Sequence, residues 1–144
     1  MDMNSALTWA AGRTDAVLIT IRSDGRPQSS DISYAYAPKV DDIGTFDISL
    51  TDGRAKTKNM RRDNRVVLHL TDRSSWSYLS FDGTVELTNV TTEPGDAVGD
   101  ALVDYYERVA GEPHPDWDEY RAAMISEGRL LVRFTPASVV GQIR

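Results

Sequence analysis

The sequence predicts a mainly β fold, a closed antiparallel β-barrel with flanking helices. Three observations support this prediction. A chain of 144 residues has the length of one domain, so we expect residues 1–144 to share one core. About six or seven short segments rich in β-branched and aromatic residues follow one another, separated by turn residues, and helical spacing is confined to a few segments. This pattern favours an antiparallel barrel over a parallel α/β sheet.

The first third of the chain predicts one short helix and three strands. Asn4 or Ser5 is a suitable N-cap for a helix over residues 7–11, which Gly12 ends. The glycine-containing segment 23–26 is typical of a hairpin turn. The predicted strands cover residues 16–22, 27–36 and 44–50, with a polar loop over 38–42 between the last two.

The remaining chain predicts three more helices and the other strands. A basic helix ending at Arg62 follows the turn at 51–53, and a strand over 65–70 comes next. Residues 76–79 and 84–88 form either one long bent strand or a hairpin around Asp82-Gly83. The predicted helices then cover 93–110 and 116–125, and the last strands cover 129–134 and 139–143.

The residue types present exclude several kinds of chemistry. The chain has no cysteine, which excludes disulfides, thiolate nucleophiles and iron–sulfur clusters. The two histidines, His69 and His114, lie far apart in the sequence and match no metal-binding spacing. We expect His69 to be a hydrogen-bonded histidine of the sheet and His114 to be a surface turn residue.

The charge distribution indicates a small anionic ligand. The net charge is -6, but residues 54–65 carry six basic residues and one acidic residue. A nucleic-acid-binding protein is expected to have a broad basic face, so we expect no nucleic-acid partner. The longest apolar run, residues 16–21, is too short to cross a membrane, and the first residues do not resemble a secretory signal. We therefore expect a cytoplasmic protein without membrane insertion.

The segment Ser49–Asn59 predicts a phosphate-binding site where a strand ends and a helix begins. A helix N-terminus offers unpaired backbone N–H groups and a partial positive charge. Arg54 and Lys56 add fixed charge, and the hydroxyls of Ser49 and Thr57 are further hydrogen-bond donors. The alternative interpretation is a solvated basic helix face.

No motif for a protein-based reaction accompanies this site. The chain lacks the P-loop, the GxGxxG pattern and the GxSxG elbow of serine hydrolases. We therefore expect a bound cofactor to supply the reactivity. Trp76 and Tyr78 are candidates for covering a planar ring, although they are equally consistent with ordinary packing on a strand.

Four segments resemble the actinobacterial deazaflavin-dependent oxidoreductases, which belong to the FMN-binding split-barrel superfamily that is similar to pyridoxamine 5'-phosphate oxidase. These segments are the hairpin 20–28, the run 54–63, the cluster 76–78 and the helix 117–121. The resemblance implies a six- to seven-stranded antiparallel split barrel with Greek-key order. It also implies a homodimer with two cofactor grooves at the subunit interface.

The resemblance further implies coenzyme F420, a 5-deazaflavin with a phosphate and an oligoglutamate tail. Arg54, Lys56 and Thr57 would bind the phosphate, supported by Ser49 and Asn59. The residues that would line the edge of the deazaflavin ring are Gln28, Ser29, Ser30 and Asp31. Trp76 and Tyr78 would approach the ring from the same or the partner subunit. The basic residues that would steer the glutamate tail are Lys58, Arg61 and Arg62.

The implied activity is hydride transfer between reduced F420 and a small conjugated organic substrate. Water, Tyr34 or Tyr36 would supply the substrate proton. Two alternatives stay open: an FMN-dependent oxidoreductase on the same barrel, and a non-catalytic F420-binding carrier.

Overall fold

The computed structural model describes residues 1–144, which form seven strands and four helices. The strands are β1 (Asp15–Ile21), β2 (Pro27–Ser33), β3 (Ala35–Lys39), β4 (Asp42–Thr51), β5 (Arg65–Asp72), β6 (Ser77–Leu87) and β7 (Arg129–Gln142). The helices are α1 (Met3–Ala11), α2 (Ala55–Arg62), α3 (Ala97–Ala110) and α4 (Trp117–Glu127). None of the helices combines the length and apolar character needed to cross a membrane.

All seven strands lie in one antiparallel sheet in the order β2-β1-β5-β6-β7-β4-β3. Strands β5, β6 and β7 are consecutive neighbours, and β4 returns beside β7, which is Greek-key order. The prediction of a mainly β fold with six to seven antiparallel strands and flanking helices is confirmed. The edge strands are β2 and β3.

The main core lies on the inner face of the curved sheet. Alternate residues of each strand point inward, so the predicted alternation of Phe46, Ile48 and Leu50 is confirmed, and all three are buried. The Phe46 ring contacts the rings of Tyr34 and Phe134, with centroids 5.1 and 5.8 Å away. Burying each side chain of this size contributes roughly 1.5–3 kcal/mol. A smaller cluster, formed by Leu102, Tyr120 and Leu131, lies beneath α3 and α4.

Helix α1 begins earlier than predicted, and neither Asn4 nor Ser5 is its cap. The Asp2 carboxylate accepts the backbone N–H of Ser5 at 2.9 Å, which makes Asp2 the N-cap of a helix that begins at Met3. The end of the helix at Gly12 is confirmed. In α3 the cap is Asp96, so that helix begins at Ala97, after the predicted start.

The single strand predicted over 27–36 is wrong, because the chain turns inward at Tyr34. The Tyr34 side chain is fully buried and its hydroxyl donates to the Ala10 carbonyl at 2.7 Å. This anchor separates β2 from β3. The loop predicted over 38–42 is also wrong, since β3 continues to Lys39 and the reversal occurs at a tight turn with Asp41 at φ 58°. Pro38 is tolerated there because β3 is an edge strand.

Strand β6 is one long bent strand, so the hairpin alternative is wrong. Its pairing with β7 shifts register between Asp82 and Gly83. A Cβ at Gly83 would lie 2.2 Å from the Thr135 carbonyl oxygen, which explains why glycine occupies the bend. Strand β7 is likewise continuous where two strands were predicted, because its two halves both pair with β6 across the irregularity near Pro136.

Candidate functional site

The candidate site lies where β4 ends and α2 begins. Two hydrogen bonds shape the connecting loop: the Thr57 hydroxyl donates to the Thr51 carbonyl at 2.8 Å, and the Asp52 N–H donates to the Gly128 carbonyl at 2.9 Å. Arg54 occupies the N-cap position of α2 and makes no side-chain capping bond, and the first turn has no acidic residue. The backbone N–H groups of this turn are therefore free of a side-chain acceptor, as in helix N-termini that bind anions.

Two basic side chains at this loop, those of Arg54 and Lys56, have no ion-pair partner. Arg54 is exposed and Lys56 is half-buried, and neither side chain makes a hydrogen bond or an ion pair in the chain. Burial is the main factor that lowers the pKa of Lys56, followed by the nearby guanidinium groups of Arg54 and Arg129. An anion bound here would relieve this repulsion.

A cavity of about 370 Å³ opens beside the loop. It is bounded by β2, the ends of β4 and β7, and helices α2, α3 and α4. The side chains that give it its chemical character are Asp31, Ser49, Lys56, Tyr105, Tyr120 and Arg129. The structure thus brings together three of the predicted site residues, which are Ser49, Lys56 and Asp31.

Thr57 and Asn59 lie inside the protein rather than on the cavity wall. Thr57 is fully buried, so in this structure its hydroxyl shapes the loop and is not presented to a ligand. Asn59 is also buried, and its amide donates to the Thr20 hydroxyl and to the Gln28 side chain, both at 3.1 Å. Asn59 therefore connects α2 to the β1–β2 hairpin, which is a supporting position.

The four predicted ring-edge residues divide between the two faces of β2. Ser29 and Asp31 are exposed, whereas Gln28 and Ser30 are half-buried, as the two-residue period of a strand requires. Their four side chains consequently do not share one surface. Asp31 also borders a second cleft of about 490 Å³ on the outer face of the sheet, with Asp15, His69 and Thr71.

Trp76 and Tyr78 lie on the outer side of the sheet, away from the cavity at Lys56. Both side chains are exposed, Trp76 by 65% and Tyr78 by 41%. Tyr78 pairs with Thr71, and β5 and β1 separate β6 from β2. Strand β6 also pairs with β7, but Tyr78 lies opposite Gln142, near the end of β7 that is farthest from the cavity. The chain does not bring these aromatic residues to its own cavity.

The two histidines lie in the predicted elements, His69 in the sheet and His114 in the connection between α3 and α4. His69 lies on β5, as predicted for a histidine of the sheet, and its ring stacks on Tyr78 with centroids 5.9 Å apart. His114 is half-buried, and its Nδ1 accepts the N–H of Asp116 at 2.9 Å. Its ring packs 5.1 Å from that of Tyr106, so it lies within an aromatic cluster.

Neither Tyr34 nor Tyr36 lies on this cavity. The hydroxyl of Tyr34 is committed to the Ala10 carbonyl and burial raises its pKa, so Tyr34 is excluded as a proton source. Tyr36 lies on β3 and borders two other clefts. Within the cavity, the hydroxyl of Tyr105 donates to the Ser33 carbonyl at 3.0 Å. The hydroxyl of Tyr120 donates to the Leu102 carbonyl at 2.8 Å, and burial raises the pKa of Tyr120 to about 12.

Sequence reasoning missed Arg129 as a site residue. It is the first residue of β7, and the β4–β7 register places it opposite Thr51, where the loop begins. No local motif marks it, because it is 73 positions after Lys56 and only the sheet pairing brings the two together. The glycine at 128, which ends α4, is the one local signal that a strand begins there.

Comparison with known proteins supports the fold and identifies the family. Residues 8–142 match a family model described as pyridoxamine 5'-phosphate oxidase. The fold is similar to that of a conserved hypothetical protein from Mycobacterium tuberculosis, with a TM-score of 0.74 and 23% identity over 98% of this chain and 84% of that one. A protein described as an F420 reductase gives a TM-score of 0.64 and 21% identity over 92% of this chain and 94% of that one. A heme-binding protein from Mycobacterium smegmatis gives a TM-score of 0.67 and 17% identity over 95% of this chain and 52% of that one.

Proposed function

The chain belongs to the pyridoxamine 5'-phosphate oxidase family of flavin-binding split barrels, and from this premise we propose that it is an oxidoreductase that uses coenzyme F420. The proposed reaction is hydride transfer between reduced F420 and a small conjugated organic substrate. The uncompensated positive charge at the start of α2 carries the proposal. Arg54 and Lys56 have no partner there, in a chain whose net charge is -6.

The residues present fit a phosphate-bearing cofactor. Lys56 and the first-turn N–H groups of α2 would bind the phosphate, with Arg54 at the rim. Asn59 and Thr57 would keep the loop in shape through the hydrogen bonds that they already make. When bound, F420 supplies the hydride. The chain's own contribution is to hold the substrate carbon about 3–3.5 Å from the donating carbon and to exclude water.

One surface feature favours F420 over a cofactor that ends at its phosphate. Beyond the loop, the exposed Lys58 makes no hydrogen bond or ion pair, which leaves a cation available to a glutamate tail. Arg61 and Arg62 are less available, because Arg61 pairs with Asp52 and Arg62 donates to the Ile21 carbonyl and to Asn59. The likeness to a protein described as an F420 reductase points in the same direction.

We propose that the complete site lies at the interface of a homodimer. The exposed Trp76 and Tyr78 do not line the cavity of their own chain. A second copy would bring them to the ring of a cofactor whose phosphate is bound at Lys56. Aromatic rings of this size cover a planar ring system well. This arrangement predicts that Trp76→Ala weakens binding of the ring without changing binding of inorganic phosphate.

FMN is the alternative cofactor, and the family match favours it. FMN would use the same phosphate contacts but would leave Lys58 without a role. The two assignments therefore differ in their response to Lys58→Ala. That substitution weakens binding of F420 in the first case and leaves binding of FMN unchanged in the second.

The experiment that tests the proposal is a titration of the purified, ligand-free protein with F420 and with FMN, followed by fluorescence. Oxidation of reduced F420 is then measured against a panel of quinones, enones and tetrapyrroles. We expect tighter binding of F420 and turnover with at least one acceptor. Tighter binding of FMN would identify FMN as the cofactor instead of F420. Tight F420 binding without turnover on any acceptor would indicate a carrier.

A further inference from the structure

We propose that Arg129 is a second ligand for the cofactor phosphate, in the same cavity as Lys56. This inference rests on the proposed function, since it concerns the same anion. It assigns to the first residue of β7 a role in binding and in discrimination between phosphate-bearing and phosphate-free ligands.

Backbone pairing fixes the position of Arg129 at the phosphate loop. It pairs with Thr51, the last residue of β4, and the preceding Gly128 accepts the N–H of Asp52. Two backbone contacts therefore connect the start of β7 to the loop that precedes α2. Arg129 and Lys56 line the same cavity, and Arg129 is near enough to contribute to the lowered pKa of Lys56.

The guanidinium group of Arg129 is incompletely satisfied by the protein. Its Nη1 lies 3.4 Å from the Ser49 carbonyl oxygen, which is long for a hydrogen bond, and its Nη2 donates to Glu127 at 3.1 Å. Its Nε is buried and has no partner. Buried donors are rarely left in this state, because each forfeits the hydrogen bonds that water would make. The guanidinium group is therefore short of acceptors in the chain itself, and an anion in the cavity would supply them once the side chain turns towards it.

The partner of Arg129 is one that a ligand can replace. Glu127 is half-exposed and lies two residues away, so its carboxylate becomes solvated when the pair opens. Arginine recognises phosphate through two parallel N–H donors, whereas lysine acts as a point charge. Arg129 and Lys56, which line one cavity, would therefore together fix both the position and the orientation of the phosphate.

The test compares ligands that differ only by the phosphate-bearing part: FMN against riboflavin, and F420 against its phosphate-free deazaflavin chromophore. Arg129→Gln is the variant, and Arg133→Gln is the control, because Arg133 is an exposed arginine of the same strand that makes no hydrogen bond or ion pair and borders a different cleft. Binding of inorganic phosphate is measured in parallel by phosphorus NMR line broadening. Circular dichroism checks that each variant is folded.

We expect Arg129→Gln to weaken binding of the phosphate-bearing ligands and of inorganic phosphate by roughly tenfold or more, as the loss of a charge-assisted hydrogen bond implies. Binding of riboflavin and the phosphate-free deazaflavin should not change, and Arg133→Gln should resemble the wild type. Equal losses for both ligand types, or no loss, would overturn the inference. If Arg129→Gln does not fold, Arg129→Lys keeps the charge and should show a smaller loss that is again confined to the phosphate-bearing ligands.

The outcomes separate this inference from the proposed function. Binding of inorganic phosphate that depends on Arg129, without binding of either cofactor, would support the role of Arg129 and contradict the oxidoreductase assignment. Cofactor binding and turnover that do not depend on Arg129 would support the oxidoreductase assignment and contradict the role of Arg129. A wild-type protein that binds neither phosphate nor cofactor would contradict both.

Discussion

The side-chain amide of Asn59 donates to the side-chain oxygen of Gln28 at 3.1 Å, and this contact joins the helix at the phosphate loop to the edge strand of the sheet. The same amide donates to the Thr20 hydroxyl at 3.1 Å, and the Asn59 oxygen accepts from Arg62 at 3.0 Å. Asn59 thus uses its donors and its acceptor within a buried network. The position of α2, and with it that of Lys56, depends on these bonds.

Asn59→Ala is expected to lower the free energy of unfolding by about 1–3 kcal/mol, because the partners of a buried amide are left unsatisfied. It should also weaken cofactor binding, since α2 is no longer held against β2. Chemical denaturation and a cofactor titration measure the two effects. Asn64→Ala is the control, because the exposed Asn64 side chain makes no hydrogen bond. An Asn59→Ala protein as stable as the control would contradict the bridging role.

Lys56→Ala is expected to weaken binding of the phosphate-bearing cofactor by about 1.5–3 kcal/mol, the range for a charge-assisted hydrogen bond. The fold should be unaffected, because the Lys56 ammonium makes no hydrogen bond or ion pair in the chain. The matched control is Lys39→Ala, on the exposed end of β3 and away from this cavity. Unchanged affinity in a folded Lys56→Ala protein would refute the assignment of the loop as a phosphate site.

Cofactor affinity should fall as the pH rises, and the fall should begin at a lower pH than it would for a lysine with an ordinary pKa. Burial and the neighbouring Arg54 and Arg129 lower the pKa of Lys56 in the free protein, whereas a bound phosphate favours the charged form and raises this pKa. Binding is therefore strongest below the lowered pKa and weakens as the pH rises through it. Titrations at increasing pH measure this, and Lys56→Arg should remove the dependence because arginine stays charged. Identical pH profiles for the wild type and Lys56→Arg would contradict the assignment of this pH dependence to Lys56.

Asp96 should make the stability sensitive to acid. Its carboxylate accepts the N–H groups of Thr92 and Gly99, among others, and these bonds lower its pKa to about 2. A carboxyl pKa that is lower in the folded state contributes stability above the unfolded value of about 3.9, and this contribution is lost as the pH falls towards 2. Asp96→Ala should cost about 0.5–2 kcal/mol at neutral pH, as for other N-caps.

Denaturation midpoints between pH 2 and pH 7 test the role of Asp96. The stability of Asp96→Ala should depend less on pH in the acid range than that of the wild type. Asp118→Asn is the control, because Asp118 is exposed in the first turn of α4 and makes no hydrogen bond or ion pair. Equal acid sensitivity of Asp96→Ala and the wild type would contradict the argument.

The sequence predicted those elements that depend only on residues close together in the chain. The turn at 23–26, the inward-facing row of Phe46, Ile48 and Leu50, and the strand-to-helix junction before Lys56 all follow from residue type and spacing. The break at Tyr34 did not, because nothing nearby shows that its hydroxyl will reach the Ala10 carbonyl of α1.

The candidate site shows the same division. Ser49 and Lys56 were found because they flank a junction that is visible in the sequence. Arg129 was missed because its place depends on the β4–β7 register. Thr57 has the right chemistry for a phosphate ligand, but the fold directs its hydroxyl to the Thr51 carbonyl. Residue type alone cannot separate these two uses of a threonine.

The most direct measurement is a crystal structure of the protein with F420 bound. We expect the phosphate to lie within hydrogen-bonding distance of Lys56 and of the first-turn N–H groups of α2, with Trp76 or Tyr78 of a second subunit against the ring. A phosphate bound elsewhere, with the junction before α2 contacting no part of the ligand, would contradict it.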